Sequence, residues 1–409
     1  MGKKILVLGT GAQGSTVAQR MDEEPNVDEI ICADYEKKAV NAVVSQLKKG
    51  KGVRVDASKK ENIVEIAKGA DLIVNALPLA FGKKVLDAAL EVKADYQDFA
   101  TPETPELHES WIEGFHILLS EYSEKFAANG NLAICGTGSA PGLIMAASRL
   151  AVKDLDTCDT IYNIVWEGAE AKRFQPFWWS PVSALIDMSG RSYAYIDGQI
   201  VRPEAFSLPI KRQYDYMDKE IVFVEHEHDE PVQIGINADT HFKGCKNAYF
   251  KYAGAGIDFA KPLYRAGLLS REPEDVNGTE VIPFNLVLKH LPAAPKYKDE
   301  IKEIIDEGLV SDAGCMVVEA YGQKDGRDVK NEVHVFAPGV VESYEKAGIT
   351  AEMYLTGQGG ALFTKMFVND KYDQKGLITS DMLTYDEIDY YFDEAAKLDI
   401  TLDIRNDVK

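Results

Sequence analysis

Cysteine is scarce. Five residues, Cys32, Cys135, Cys158, Cys245 and Cys315, stand far apart in a chain of 409 and form no CxxC pair. An odd, scattered set excludes a disulfide framework and a zinc–cysteine site, and is the usage of a reduced, cytoplasmic protein. Long apolar runs are missing too. No stretch approaches the ~18 uninterrupted apolar residues of a membrane span, so no membrane association is expected. Basic charge is short: 45 Lys and Arg against 66 Asp and Glu leave a net charge of −21. Such a chain repels a phosphate backbone, and no basic cluster offsets that, so nucleic acid is excluded as a partner. The first apolar run, Ile5 to Leu8, is short and enters a glycine turn, which reads as a strand and not as a signal peptide. What remains, 45% hydrophobic and 27% charged residues, is the balance of a folded globular chain. At ~100–200 residues per domain the length suggests two domains.

The first 150 residues alternate between short apolar runs and stretches of helical spacing. Strands are expected at Lys4 to Gly9, Glu29 to Asp34, Val53 to Ser58, Asp71 to Pro78, Asp95 to Thr101 and Leu132 to Gly138, with a long helix over Glu106 to Ala128. Strand–helix alternation at this spacing predicts an α/β fold with a parallel, doubly wound sheet. Beyond Leu150 strand-like runs follow one another without helices, including Lys219 to Ile236. Asp197–Gly198 and Asp325–Gly326 mark two hairpins. This middle region is expected to be α+β with a mainly antiparallel sheet. The last 60 residues return to helical patterns.

The strongest chemical signal is Gly9-Thr10-Gly11-Ala12-Gln13-Gly14. It follows a strand and opens a helix, the context that makes GxGxxG specific for a dinucleotide. Gly9 permits the tight turn, Gly11 the approach of the pyrophosphate, and Gly14 close helix–strand packing. The helix from Ala12 aims its amides at the phosphates. Asp34 closes the second strand 20 residues beyond the last glycine. An acid there receives the adenosine ribose hydroxyls and repels a 2′-phosphate, so NAD is favoured over NADP. Asp56 and Ala57 end the third strand, where the adenine edge is expected. Asn75, Ala76, Leu77 and Pro78 end the fourth, beside the nicotinamide ribose. Residues 1–136 are therefore read as a dinucleotide-binding Rossmann domain, with 357–409 packing back onto it. Residues 137–356 are read as a substrate-binding and dimerisation domain, giving a homodimer.

Four further stretches carry a resemblance: Asn75 to Leu90 with Ala94 to Glu103, Cys135 to Leu150 with its Pro141-Gly142, Phe177 to Val201 around Trp179-Ser180-Pro181, and Ala351 to Phe367 with Gly376 to Leu383. In this order they resemble the saccharopine dehydrogenase and saccharopine reductase family, which includes carboxynorspermidine dehydrogenase and lysine 6-dehydrogenase. The family's D-P-G element lacks its aspartate here, since Ala140 precedes Pro141. The resemblance implies an NAD(P)-dependent oxidoreductase acting on the CH–NH group of an amino acid or secondary amine. A polyamine-precursor substrate, and a non-enzymatic dinucleotide-binding protein on the same fold, stand as alternatives.

Such chemistry needs positioning, electrostatic complementarity and one proton-handling group. Asp98 and Glu103, at the fifth strand's exit, are the catalytic candidates. Arg173 and Arg191, on either side of the tryptophan pair, are candidate clamps for a substrate carboxylate, with Trp178 lining the pocket. Glu225-His226-Glu227-His228 would set two histidines on one strand face. No third ligand is placed, and no metal is expected.

Overall fold

The computed structural model describes residues 2–407. In chain order the strands are β1 Lys3–Leu8, β2 Val27–Asp34, β3 Gly50–Arg54, β4 Leu72–Asn75, β5 Asp95–Asp98, β6 Leu132–Cys135, β7 Thr157–Ala171, β8 Ala194–Ile196, β9 Gln199–Val201, β10 Ile210–Arg212, β11 Ile221–Glu225, β12 Asn247–Gly254, β13 Glu274–Val276, β14 Thr279–Val281, β15 Leu309–Lys324, β16 Arg327–Phe336, β17 Gly376–Thr379 and β18 Thr401–Arg405. They fall into two units. One holds residues up to Ala146 with Leu355–Leu398, and the other holds Ala147–Tyr354 and the residues from Asp399 on.

The first unit is a seven-stranded parallel sheet in the order β17-β6-β5-β4-β1-β2-β3. Ile5, Leu6, Val7 and Leu8 of β1 are fully buried, as a central parallel strand covered on both faces requires. The C-terminal helix Ala351–Val368 returns to this sheet through Gln97. The Gln97 amide donates to Gly360 O at 2.7 Å and to Thr137 Oγ1 at 2.9 Å, and its oxygen accepts from Thr364 Oγ1 at 2.8 Å. The helix Tyr385–Ala396 starts at a capping box, with Thr384 N donating to Glu387 Oε2 at 2.7 Å.

The second unit is built on a nine-stranded sheet with the path β10-β11-β12-β7-β15-β16-β18, and the β8–β9 hairpin pairs onto β12. Only β12 and β7 run parallel; the other pairs are antiparallel. Both turns read from the sequence are present. Asp197 and Gly198 have φ of 51° and 78°, and Asp325 and Gly326 have 51° and 71°, the left-handed pair that joins twisted strands.

Several elements differ from expectation. The third strand is Gly50–Arg54, so Asp56 and Ala57 lie beyond its end, on the turn held by Ser58, and do not close it. The long helix begins at Trp111, not Glu106. The run after β11 turns into the helix Glu230–Ile236, because Pro231 fits a first turn and cannot donate within a sheet. Residues from Asp399 on do not follow 357–398 into the first unit, because β18 pairs with β16 at the edge of the second sheet.

Candidate functional site

The exits of β1, β2 and β4 meet at the glycine loop. Gly9 has φ of +90°, and a Cβ there would lie 2.6 Å from Ala76 O. A Cβ on Gly14 would lie 1.9 Å from Gly9 O, so the helix Ala12–Glu23 can sit this close to its strand only with glycine at that position. At Gly11 an added Cβ meets nothing within 4 Å. This is an open cradle over a helix N-terminus, as a pyrophosphate needs. Gln13 Oε1 is buried without a hydrogen-bond partner on the side of Gly357, away from this cradle. These residues fit a dinucleotide.

Asp34 braces the loop: Oδ2 accepts from Thr10 N at 2.7 Å and Thr10 Oγ1 at 3.1 Å, and Oδ1 accepts from Glu36 N at 3.0 Å. Beside it, the Arg54 guanidinium lies 4.7 Å over the exposed Tyr35 ring and donates from Nε to Tyr35 O at 3.0 Å. Sequence reasoning missed this flat platform, since its two halves come from different strand exits. Asp56 Oδ1 accepts from Ser58 N and Oγ at 3.0 and 2.6 Å, bonds that hold its carboxyl below the usual range. Ala57 is buried. Asn75 is buried and spans the strand end, donating to Tyr96 OH at 3.1 Å and accepting from Leu77 N at 3.2 Å. Ala76 O closes on Gly9, the Leu77 side chain flanks the same spot, and Pro78 is exposed.

Asp98 is 3% exposed and ties two strand exits together. Its carboxylate accepts from Gly136 N at 2.7 Å and Tyr96 OH at 2.8 Å, and its carbonyl accepts from Thr137 N at 3.0 Å and Thr137 Oγ1 at 2.6 Å. This is the geometry of a bracket. Glu103 is exposed on the loop ahead of Trp111 and caps no helix.

In the second unit the substrate candidates are engaged elsewhere. Arg173 grips Glu307 and, at 2.9 Å, Glu303 on the helix Lys298–Glu307. Arg191 is exposed, donates to Arg202 O at 2.7 Å and pairs with Glu204 at 3.3 Å. Trp178 is 2% exposed and donates from Nε1 to Ala169 O at 3.0 Å, as a core residue does.

A different set converges on one face of the second sheet. Trp179 Nε1 donates to Glu167 Oε2 at 3.4 Å. Glu352 lies close enough to couple with Glu167; burial and that neighbour push Glu352 up to about 8. Burial also raises Glu167, against the nearby Tyr252 hydroxyl and the bond from Trp179. The His226 ring stands 4.6 Å from that of Tyr252, and His228 stacks on Phe250 at 4.0 Å. His228 Nδ1 meets Glu230 Oε2 at 2.9 Å. Burial opposes the charge on His228, yet Glu230, Asp187 and Asp229 push it up to about 9. Burial, then the charge of His228, press His226 down to about 3. The sequence set both histidines on one strand face; β11 instead ends at Glu225 and the chain folds back over β12, burying Glu225, His226 and Glu230. The tryptophan pair and the His-rich stretch were the available signals; Glu167 and Glu352 gave none.

Residues 5–131 match the family model of the saccharopine dehydrogenase NADP-binding domain. The chain is 24% identical over 396 residues to carboxyaminopropylagmatine dehydrogenase of Synechocystis sp., covering 91% of each chain. Its fold is similar to that of apo saccharopine dehydrogenase (L-Glu forming) from Saccharomyces cerevisiae. The TM-score is 0.69 at 14% identity, over 99% of this chain and 100% of that one.

Proposed function

We propose that this chain is a dehydrogenase/reductase of the saccharopine dehydrogenase type that acts on the CH–NH carbon of a carboxylated, cationic polyamine precursor, with NAD in preference to NADP. The observation that carries the substrate class is the meeting of Glu167 and Glu352 in the second unit, while Arg173 and Arg191 are already held by glutamates. A half-buried acidic pair suits an amine or guanidinium, whereas a dicarboxylic product such as saccharopine asks for arginines. The relative that acts on carboxyaminopropylagmatine supports the same class.

When bound, the nicotinamide ring supplies the hydride acceptor or donor; the imine formed by oxidation is open to hydrolysis by water. The glycine loop and the amides of the helix Ala12–Glu23 hold the pyrophosphate. Asp34 takes the adenosine ribose hydroxyls, and Tyr35 with Arg54 offers a platform to the adenine. The family model is named for NADP. Arg54, Lys37 and Lys38 are the groups that would welcome a 2′-phosphate, and the Asp34 carboxylate is what turns the preference. Spectrophotometric assay with NAD and NADP against carboxyaminopropylagmatine, carboxynorspermidine, saccharopine and lysine tests both halves. A carboxylated polyamine precursor should be turned over best, with NAD. Asp34→Ser should move the NAD-to-NADP ratio of kcat/KM about ten-fold or more toward NADP, a lost charge effect of ~1.5–3 kcal/mol. Best turnover of saccharopine, or wild-type preference for NADP, overturns the corresponding half.

A further inference from the structure

Glu167 stands near the end of β7 with glycine as its cross-strand neighbour on both sides, Gly254 of β12 and Gly314 of β15. Strand residues ordinarily find their flanks filled by cross-strand side chains. Here both flanks are bare. At Gly254 nothing larger fits: φ is +154°, and a Cβ would lie 2.4 Å from Glu167 O. The sheet therefore sets no cross-strand side chain in the space beside Glu167.

What borders that space is polar and incompletely satisfied. The Tyr252 residue is 5% exposed and its hydroxyl has no hydrogen-bond partner, although Glu167 is the charge nearest to it. Glu352 Oε2 is buried and has none either. The Trp179 indole flanks Glu167 and donates its one N–H to it. Among the described residues neither Glu167 nor Glu352 makes an ion pair with a lysine or arginine. Two half-buried carboxyl groups with no lysine or arginine partner, beside a hydroxyl without a hydrogen bond and an aromatic face, form a site that a second cation completes next to the His228 imidazolium.

We propose that Glu167, Glu352, Tyr252 and Trp179 form a binding site for an organic cation, a primary ammonium or guanidinium, which is the end of the substrate remote from its carboxylate. The assignment to substrate rests on the amine-oxidoreductase reading above. With Glu352 raised to about 8, the pair holds a proton near neutral pH when no cation is bound. The other ionisable groups facing it are Tyr252 and His228 towards Glu167, and Asp312 towards Glu352. An entering cation takes the place of that proton, so binding releases it to buffer.

The test is isothermal titration calorimetry on the full chain saturated with NAD, using agmatine, putrescine and, as the anionic control, glutarate. Agmatine or putrescine should bind, with proton release read from buffers of different ionisation enthalpy, and glutarate should not. Glu167→Gln and Glu352→Gln should each weaken the cation ten-fold or more, and Tyr252→Phe several-fold. All three should bind NAD as the wild type does. Tyr252→Phe keeps the test decisive if a carboxamide variant fails to fold. Absence of cation binding to the wild type, or variants that bind like it, overturns the site. Cation binding lost in the variants, in an enzyme that turns over no polyamine precursor, would instead sink the polyamine-precursor reading and leave the site standing.

Discussion

Gly11 and Gly14 are three residues apart and are glycine for opposite reasons. A methyl group on Gly14 collides with a backbone oxygen at 1.9 Å, whereas one on Gly11 meets empty space. Gly11→Ala should therefore leave the melting temperature within about 2 °C of wild type. It should still weaken NAD by about ten-fold or more, because the methyl stands where the pyrophosphate must touch backbone. Gly14→Ala should lower both, with an overpacking cost of ~1–3 kcal/mol. Thermal melts with and without NAD separate the two; equal behaviour of the pair would refute the division of labour. These residues were legible in the sequence because their roles are local: strand, turn and helix are contiguous. The substrate candidates were not. Arg173 looks like an unpaired clamp until Glu303 and Glu307, distant in the sequence, fold onto it. Asp98 has the chemistry of a proton carrier, but Gly136 N and Tyr96 OH claim its oxygens.

At the scale of elements, one buried amide fastens the returning helix Ala351–Val368 to the parallel sheet. Gln97 is fully buried and makes three hydrogen bonds, two of them to that helix. Gln97→Leu keeps the volume roughly but leaves Thr137 and Thr364 short of a partner. It should cost ~1–3 kcal/mol, read as a lower denaturant midpoint with an unchanged slope. No change in midpoint would mean that the helix is held by its apolar face alone. The elements foreseen from sequence are those with a strong local signature, such as the βαβ alternation and the two Asp-Gly hairpins. β17 escaped because it is a four-residue run, Gly-Leu-Ile-Thr, whose only mark is complete burial beside β6. β18 escaped because the alternation of Thr401–Arg405 is only five residues long and follows a helix, and its partner β16 lies far away in the sequence.

For the whole molecule, the pH response should come from the second unit, which contains the most strongly coupled buried histidine and acids. Its sign can be followed group by group. Burial raises Asp187 and Glu225 to about 7, against His228 and Lys251 respectively, and Glu352 stands at about 8. His228 is held at about 9 by its acidic neighbours despite burial. Each keeps a proton in the native state that the unfolded chain has surrendered, so its contribution is lost as pH rises through the folded value. His226 at about 3 and His241 at about 4, both lowered first by burial, work oppositely. Their contribution is complete above the unfolded value of ~6.5 and is lost only as pH falls. Burial of Lys251 lowers it and opposes the trend at high pH, while the buried thiols Cys158 and Cys315, raised, reinforce it. Between pH 6.5 and 9, then, most groups that move push one way, and the second unit should lose stability. The share of His228 is on the order of 3 kcal/mol at most, one proton over the interval between its two values. Differential scanning calorimetry at pH 6.5 and 9 should show the loss. His228→Gln should flatten it, although that variant starts lower because Glu230 loses its partner. A nicotinamide dinucleotide taken up by the glycine loop should raise stability at both values without altering the difference between them. A wild-type protein as stable at pH 9 as at 6.5, or a His228→Gln variant with an undiminished slope, would show that His228 is not held protonated by Glu230 and Asp187.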